Sequence, residues 1–148
     1  FPFLILTQLP LIHKSYEPKI VIGMFILIWN NDTFAYICGK SFGKRKLFEK
    51  MSPKKTIEGF IGGLIFTLIA SYILSIYFTF FDLKTWLLTA VLVSSLGTIG
   101  DLVESKFKRQ ANIKDSGSIM PGHGGILDRL DSVIFATPFL FLIYLILK

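Results

Sequence analysis

The sequence predicts an all-α, polytopic membrane helix bundle, and three observations carry that reading. Hydrophobic residues make up 52% of the 148 positions, with 15 Phe and a mean hydropathy of +0.60, and they fall in long runs. The basic residues gather between those runs: seven Lys or Arg from Lys40 to Lys55 and four from Lys106 to Lys114. The single cysteine, Cys38, excludes an internal disulfide and a cysteine-cluster metal site, and its apolar surroundings predict an inert buried thiol. One domain over residues 1–148 is expected, with about four full spans and a partial one at the N-terminal end.

In chain order, Phe1–Ile12 is apolar but short and broken by Pro2 and Pro10, as in the tail of a span. The apolar run begins at Phe1 with no charged region ahead of it, so it does not read as a signal peptide and suggests a chain that begins mid-protein. Ile20–Cys38 is long enough to cross a bilayer, with Asn30-Asn31-Asp32-Thr33 expected to interrupt its helix. Lys40–Lys55 reads as a basic loop. Ser52-Pro53 supplies a helix start, Ser as N-cap and Pro at the first helical position. The next span runs from about Gly59 to Phe81, and Gly59, Gly62 and Gly63 predict a close helix contact. A turn at Phe81–Lys84 leads to the span Leu83–Gly100, which continues as helix to about Ala111. Gly125–Leu147 is the last span, with a kink expected at Pro138. The lysine and arginine asymmetry places both basic loops in the cytoplasm and the C-terminus on the opposite side.

Net charge is +6. Because the bases cluster in two inter-span loops, they fit topology and anionic membrane ligands better than nucleic acid. The densest polar stretch, Ser105–Asp131, holds Lys106, Lys108, Arg109, Lys114 and Arg129 with Asp115, Asp128 and Asp131, around Pro121-Gly122-His123-Gly124-Gly125. Spacings of three and four put Ser94, Thr98, Asp101, Ser105 and Lys108 on one helix face, and Asp128, Asp131 and Ser132 on another. Converging carboxylates beside a basic loop suit Mg²⁺ and phosphate oxygens, the equipment of phosphoryl or nucleotidyl transfer. The residues alone leave an alternative open: Asp101–Lys108 and Asp128–Arg129–Asp131 as ion pairs that join helices. His123 could be a phosphate ligand, a general base or a turn residue.

The run Ser105-x-Phe107-Lys108-Arg109-x4-Lys114-Asp115-x-Gly117-x3-Pro121-x-His123-Gly124-Gly125-Ile126-x-Asp128-Arg129-Leu130-Asp131 resembles the signature of the phosphatidate cytidylyltransferases, the CDP-diacylglycerol synthases. The resemblance extends through Asn31-Asp32-x2-Ala35-Tyr36-x2-Gly39, Ser52-Pro53-Lys54-Lys55-Thr56-x-Glu58-Gly59 and Gly100-Asp101-Leu102-x-Glu104-Ser105. Met120 stands where the family usually has Leu, Ile or Phe. Members are nearly twice as long, so the chain reads as the C-terminal part of a longer architecture.

The resemblance implies a membrane nucleotidyltransferase that makes CDP-diacylglycerol and pyrophosphate from CTP and phosphatidic acid. It implies Mg²⁺, with a second cation left open. Asp101 and Asp128 would be metal ligands, with Asp131 as a weaker addition. Lys108, Arg109, Ser105 and His123 join them as catalytic candidates, and Lys114, Arg129, Lys54, Lys55 and Asp32 as substrate-binding ones. The lipid bilayer is an implied partner, nucleic acid is not, and homodimerisation stays open. A multi-pass protein of a bacterial cytoplasmic membrane is expected. Two alternatives are weighed against it: a CTP-dependent polyprenol or lipid kinase, and a transporter or channel subunit, which would spread its polar residues through the membrane depth.

The topology is testable. In a Cys38→Ser background, single cysteines at Lys46 and beside Lys148 should react with an impermeant reagent from opposite sides of the membrane. Labelling of both from one face of intact cells refutes the assignment.

Overall fold

The computed structural model describes residues 2–11, 16–48, 52–110 and 127–147, with the backbone alone at 48, 52–54 and 127–131. A short helix α1 (Pro2–Gln8) runs into a 3₁₀ turn at Leu9–Leu11. Helix α2 (Lys19–Phe42) leads to a two-stranded antiparallel hairpin, β1 (Lys46–Phe48) and β2 (Ser52–Thr56), which pairs Lys46 with Thr56 and Phe48 with Ser52. Helices α3 (Ile57–Tyr77), α4 (Leu83–Gln110) and α5 (Leu127–Ile146) complete the bundle.

The exposed surface is apolar. Ile22 and Ile26 of α2, Ile61, Ile65, Ile69, Ile73 and Ile76 of α3, and Leu142 and Leu145 of α5 all face outward. Inside, the Leu9, Ile20, Met24, Leu27, Trp86, Val93, Val133 and Leu140 core is interleaved with buried Asn31, Thr67, Ser71, Thr89, Ser94 and Thr137. Water would penalise so continuous an apolar exterior, whereas lipid matches it. Most of the buried hydroxyls donate to carbonyls of their own helix: Thr67 to Gly63 at 2.7 Å, Thr89 to Thr85 at 2.8 Å, Thr137 to Val133 at 2.6 Å. The chain is thus an all-α membrane bundle with one small hairpin. By length and composition α2, α3 and α4 can each cross a bilayer, while Pro2–Leu11 and Ser132–Ile146 are shorter apolar helical stretches. Four full spans therefore remain an expectation.

Helix α2 is continuous through Asn30–Thr33, which corrects the expected interruption. The physical reason is that the polar side chain inside the bundle is satisfied. Asn31, only 4% exposed, accepts a hydrogen bond on Oδ1 from Ser94 of α4 at 2.7 Å and a long one from Thr67 of α3 at 3.5 Å. With that carbonyl paired, the backbone has no reason to leave its helical bonds. At 24 residues α2 is about 36 Å long, which carries Lys40–Phe42 beyond a ~30 Å hydrocarbon core. The first residues of the expected basic loop are therefore helical.

The helix start is also corrected. Ser52 and Pro53 lie in β2, where a two-stranded hairpin leaves an edge that tolerates a missing N–H. The N-cap of α3 is Thr56, whose hydroxyl accepts from Gly59 N at 3.1 Å.

The glycines of α3 meet α2 as expected. A Cβ on Gly59 would lie 2.6 Å from the Ala35 carbonyl oxygen, and one on Gly62 would lie 2.5 Å from Cys38 Sγ. Cys38 is half-buried against that helix. Phe34 and Phe66 stack at 3.9 Å between the same two helices. The expected turn after α3 falls at residues 78–82, and α4 runs to Gln110, close to the predicted end. Helix α5 continues through Pro138, and Gly125 of the predicted span lies outside the described residues.

At the end of the bundle away from the hairpin, aromatic rings fill the space. Trp86 is 1% exposed, donates from Nε1 to Phe78 O at 3.1 Å, and packs edge-on to Phe80 and Phe81. Phe81 in turn meets Tyr144 of α5.

Replacing Gly59 with Leu forces α2 and α3 apart at a backbone contact. It should lower the stability of the detergent-solubilised protein by about 1–3 kcal/mol, read as a lower thermal midpoint, whereas Leu at exposed Ile65 should have little effect.

Candidate active site at the basic end of the bundle

Helix α4 presents Asp101, Glu104, Ser105 and Lys108 along one side as it leaves the bundle, all half-buried, with Arg109 exposed next to them. The hairpin between α2 and α3 packs on those two helices and reaches this side of α4 through a side chain. Its Lys55 ammonium forms an ion pair with the Asp101 carboxylate, across two elements and 46 positions of sequence. The pair is partly open to solvent, with side-chain exposures of 26% and 38%. Lys108 pairs instead with Glu104 one turn back, at 3.5 Å. This corrects the local alternative in which Asp101 and Lys108 were partners: Asp101 has been given a base from another element. Glu104 was not singled out in the sequence; its spacing of four from Lys108 was the available signal.

Glu58 holds the hairpin in place. Its carboxylate accepts from the backbone N–H of Lys44 at 3.1 Å and of Arg45 at 3.2 Å, while Ile57 N donates to Arg45 O at 2.9 Å. An acid in the first turn of α3 also suits the positive end of that helix. The result is a fixed turn from which the exposed Lys44, Arg45 and Lys46 project. The sequence shows Glu58 only as a member of a motif run, because its backbone partners lie 13 and 14 positions away.

The register of α4 against α5 is set by two contacts. Ser132 donates to Gly97 O at 3.4 Å, and Thr89 and Tyr144 share a hydrogen bond of 2.9 Å. The numbers rise on one helix as they fall on the other, so the helices are antiparallel. Asp101 and Asp128 each lie four residues beyond the Gly97–Ser132 contact, toward the hairpin end. Asp128 and Asp131 are in α5 by backbone. The side chains of Asp128, Arg129, Asp131 and Lys54, and all of Lys114 and His123, lie outside the described residues. Among the described residues Asp32 does not join Asp101, Glu104 and Lys55. It is on the exposed side of α2, next to Asn31 and hence at the level of Ser94, about two turns deeper than Asp101. Among the described residues no three His, Cys, Asp or Glu side chains converge as a metal cluster.

With this geometry in view, the model of the Cytidylyltransferase family matches residues 1–147. The chain belongs to the cytidylyltransferase family. It is similar to the phosphatidate cytidylyltransferase of Staphylococcus haemolyticus (strain JCSC1435), 52% identical over 122 residues, which is 81% of this chain and 46% of that protein. Against the protein of the same name from Staphylococcus aureus (strain COL) the identity is 51% over the same shares. Against that of Staphylococcus epidermidis (strain ATCC 35984) it is 44% over 129 residues, 86% of this chain and 49% of the relative. The chain spans about half the length of the curated relatives it matches. It is an integral membrane member of the cytidylyltransferase family, and among the described residues Asp101, Glu104, Lys108 and the hairpin bases gather at one end of its apolar bundle.

Glu58→Gln removes the charge that orders the turn but keeps the helix. Limited trypsinolysis at Lys44–Lys46 should become faster, while the thermal midpoint of the bundle stays close to that of the parent. Unchanged cleavage would show that strand pairing alone holds the hairpin.

Proposed function

We propose that the chain provides the catalytic end of a phosphatidate cytidylyltransferase. In this reaction a phosphate oxygen of phosphatidic acid attacks the α-phosphorus of CTP. A new P–O–P bond forms, the α–β anhydride breaks, and pyrophosphate leaves. The observation that carries the proposal is the antiparallel register of α4 and α5. It supports Asp101 and Asp128 at one membrane depth, directly under a basic hairpin. The staphylococcal relatives, named phosphatidate cytidylyltransferases, agree with it.

Carboxylate oxygens at one level suit a hard divalent ion, and the one thiol, Cys38, is turned to α3. Mg²⁺ held by Asp101 and Asp128, with Asp131 as a further acid, would offset charge on the leaving pyrophosphate. Lys44, Arg45 and Lys46 on the hairpin and Arg109 on α4 raise the local concentration of both anionic substrates. Lys108, Lys114, Arg129 and Lys54 are the further candidates for phosphate contacts, and Ser105 and His123 for hydrogen bonds to them. The apolar flanks admit the acyl chains from the bilayer. The staphylococcal relatives support a cytoplasmic-membrane location in bacteria, with the hairpin on the cytoplasmic side.

Incubating the full chain with labelled CTP, phosphatidic acid and Mg²⁺ should give labelled CDP-lipid and pyrophosphate. Lipid phosphate with CDP would instead mark a kinase. Asp101→Asn and Asp128→Asn keep volume and lose charge, so each should lower turnover by roughly 10²-fold or more in protein that still purifies as a folded bundle. An active Asp128→Asn variant with unchanged Mg²⁺ dependence refutes the shared site.

A further inference from the structure

Lys55 is built as two unlike parts. Its backbone is fixed: β2 pairs with β1, the next residue caps α3 through Gly59 N, and Glu58 ties the hairpin turn down. Its side chain is a flexible four-carbon stem that ends in a point charge. That charge lies on Asp101, the carboxylate assigned above to the metal. Two cations cannot occupy one carboxylate at full strength. An ion pair this open to solvent is weakly held, so a divalent ion, with twice the charge and no side-chain entropy to lose, can displace it.

We propose that Lys55 is the resident counter-ion of Asp101. Without a divalent cation its ammonium neutralises the carboxylate and ties the hairpin to α4. When the cation binds, the ammonium leaves Asp101 but stays within the reach of its stem, where the phosphate groups of CTP arrive with the cation. Lys55 therefore weakens the metal alone and strengthens the anion that accompanies it, coupling the two binding events. This rests on the reading of Asp101 as a metal ligand. It adds a positioning role that neither the hairpin nor α4 has alone.

The test measures Mn²⁺ binding to the purified full chain in detergent by electron paramagnetic resonance, with no nucleotide present. Lys55→Gln should bind Mn²⁺ about fivefold more tightly than the parent, the size expected from removing a partly exposed competing charge. Lys55→Arg, which keeps the charge, should stay near the parent. The thermal midpoint of Lys55→Gln should be lower than that of the parent without metal, and the gap should close in saturating Mn²⁺. In turnover, Lys55→Gln should lower the Mg²⁺ concentration for half-maximal rate while raising KM for CTP. A purely structural lysine would weaken both ligands together. Equal or weaker Mn²⁺ binding by Lys55→Gln overturns the proposal when Asp101→Asn abolishes Mn²⁺ binding. If Asp101→Asn binds Mn²⁺ like the parent, the metal assignment itself fails, and the counter-ion role fails with it.

Discussion

One carbonyl oxygen knits the bundle together. Asn31 Oδ1 is shared by Ser94 of α4 and Thr67 of α3, so three helices meet at a single buried acceptor. In a bilayer the apolar faces of helices give no preference for one rotation over another, since lipid is as good a partner as leucine. A directional bond does. Such bonds contribute only about 0.6 kcal/mol each on average, up to about 1.7. Their larger effect is on register. Ser94 lies on the same face as Asp101, seven residues further along α4. The bond that holds Ser94 inward thus sets the azimuth at which Asp101 emerges under Lys55. The glycine contact of α3 with α2 reinforces it, because Gly63 packs directly against Asn31 and Ala35.

The electrostatics follow from where the bilayer lets charge reside. Asp101, Glu104, Lys108 and the hairpin bases all lie toward one end, while the buried polar groups deeper in the bundle are neutral hydroxyls and one amide. Neutral groups need only a hydrogen bond each, and the helix backbone supplies most of these. Charged groups need water or a counter-charge, and the hairpin brings both close to the helix ends. The short β1–β2 pair is therefore what allows an acid at the bundle's margin to be faced by a base from 46 positions earlier.

Much of this was legible in the residues. The apolar runs gave α3 and α4 closely, the small residues of Gly59–Gly63 foretold the tight contact with α2, and the motif run pointed to the family that residues 1–147 match. What failed failed for non-local reasons. Asn30–Thr33 looks like a break until Ser94, on another helix, is there to donate to Asn31. Ser52-Pro53 looks like a helix start until β1 arrives as a strand partner, and the true cap, Thr56, is equally good chemistry four residues on. The Lys55–Asp101 and Glu58 contacts had no periodic signal, because they join separate elements. Asp32 was read as part of a motif run, and its exposed position on α2 could come only from knowing which side Asn31 takes.

The ring cluster at the far end has a consequence for the cell. Trp86, Phe78, Phe80, Phe81 and Tyr144 close the bundle opposite the hairpin, and Trp86 lies so close to α2 that only a glycine fits at position 23. A protein that gathers polar groups down its axis risks giving protons and small ions a conductive path through the membrane. Apolar rings packed across that end are the kind of plug that would oppose such a path.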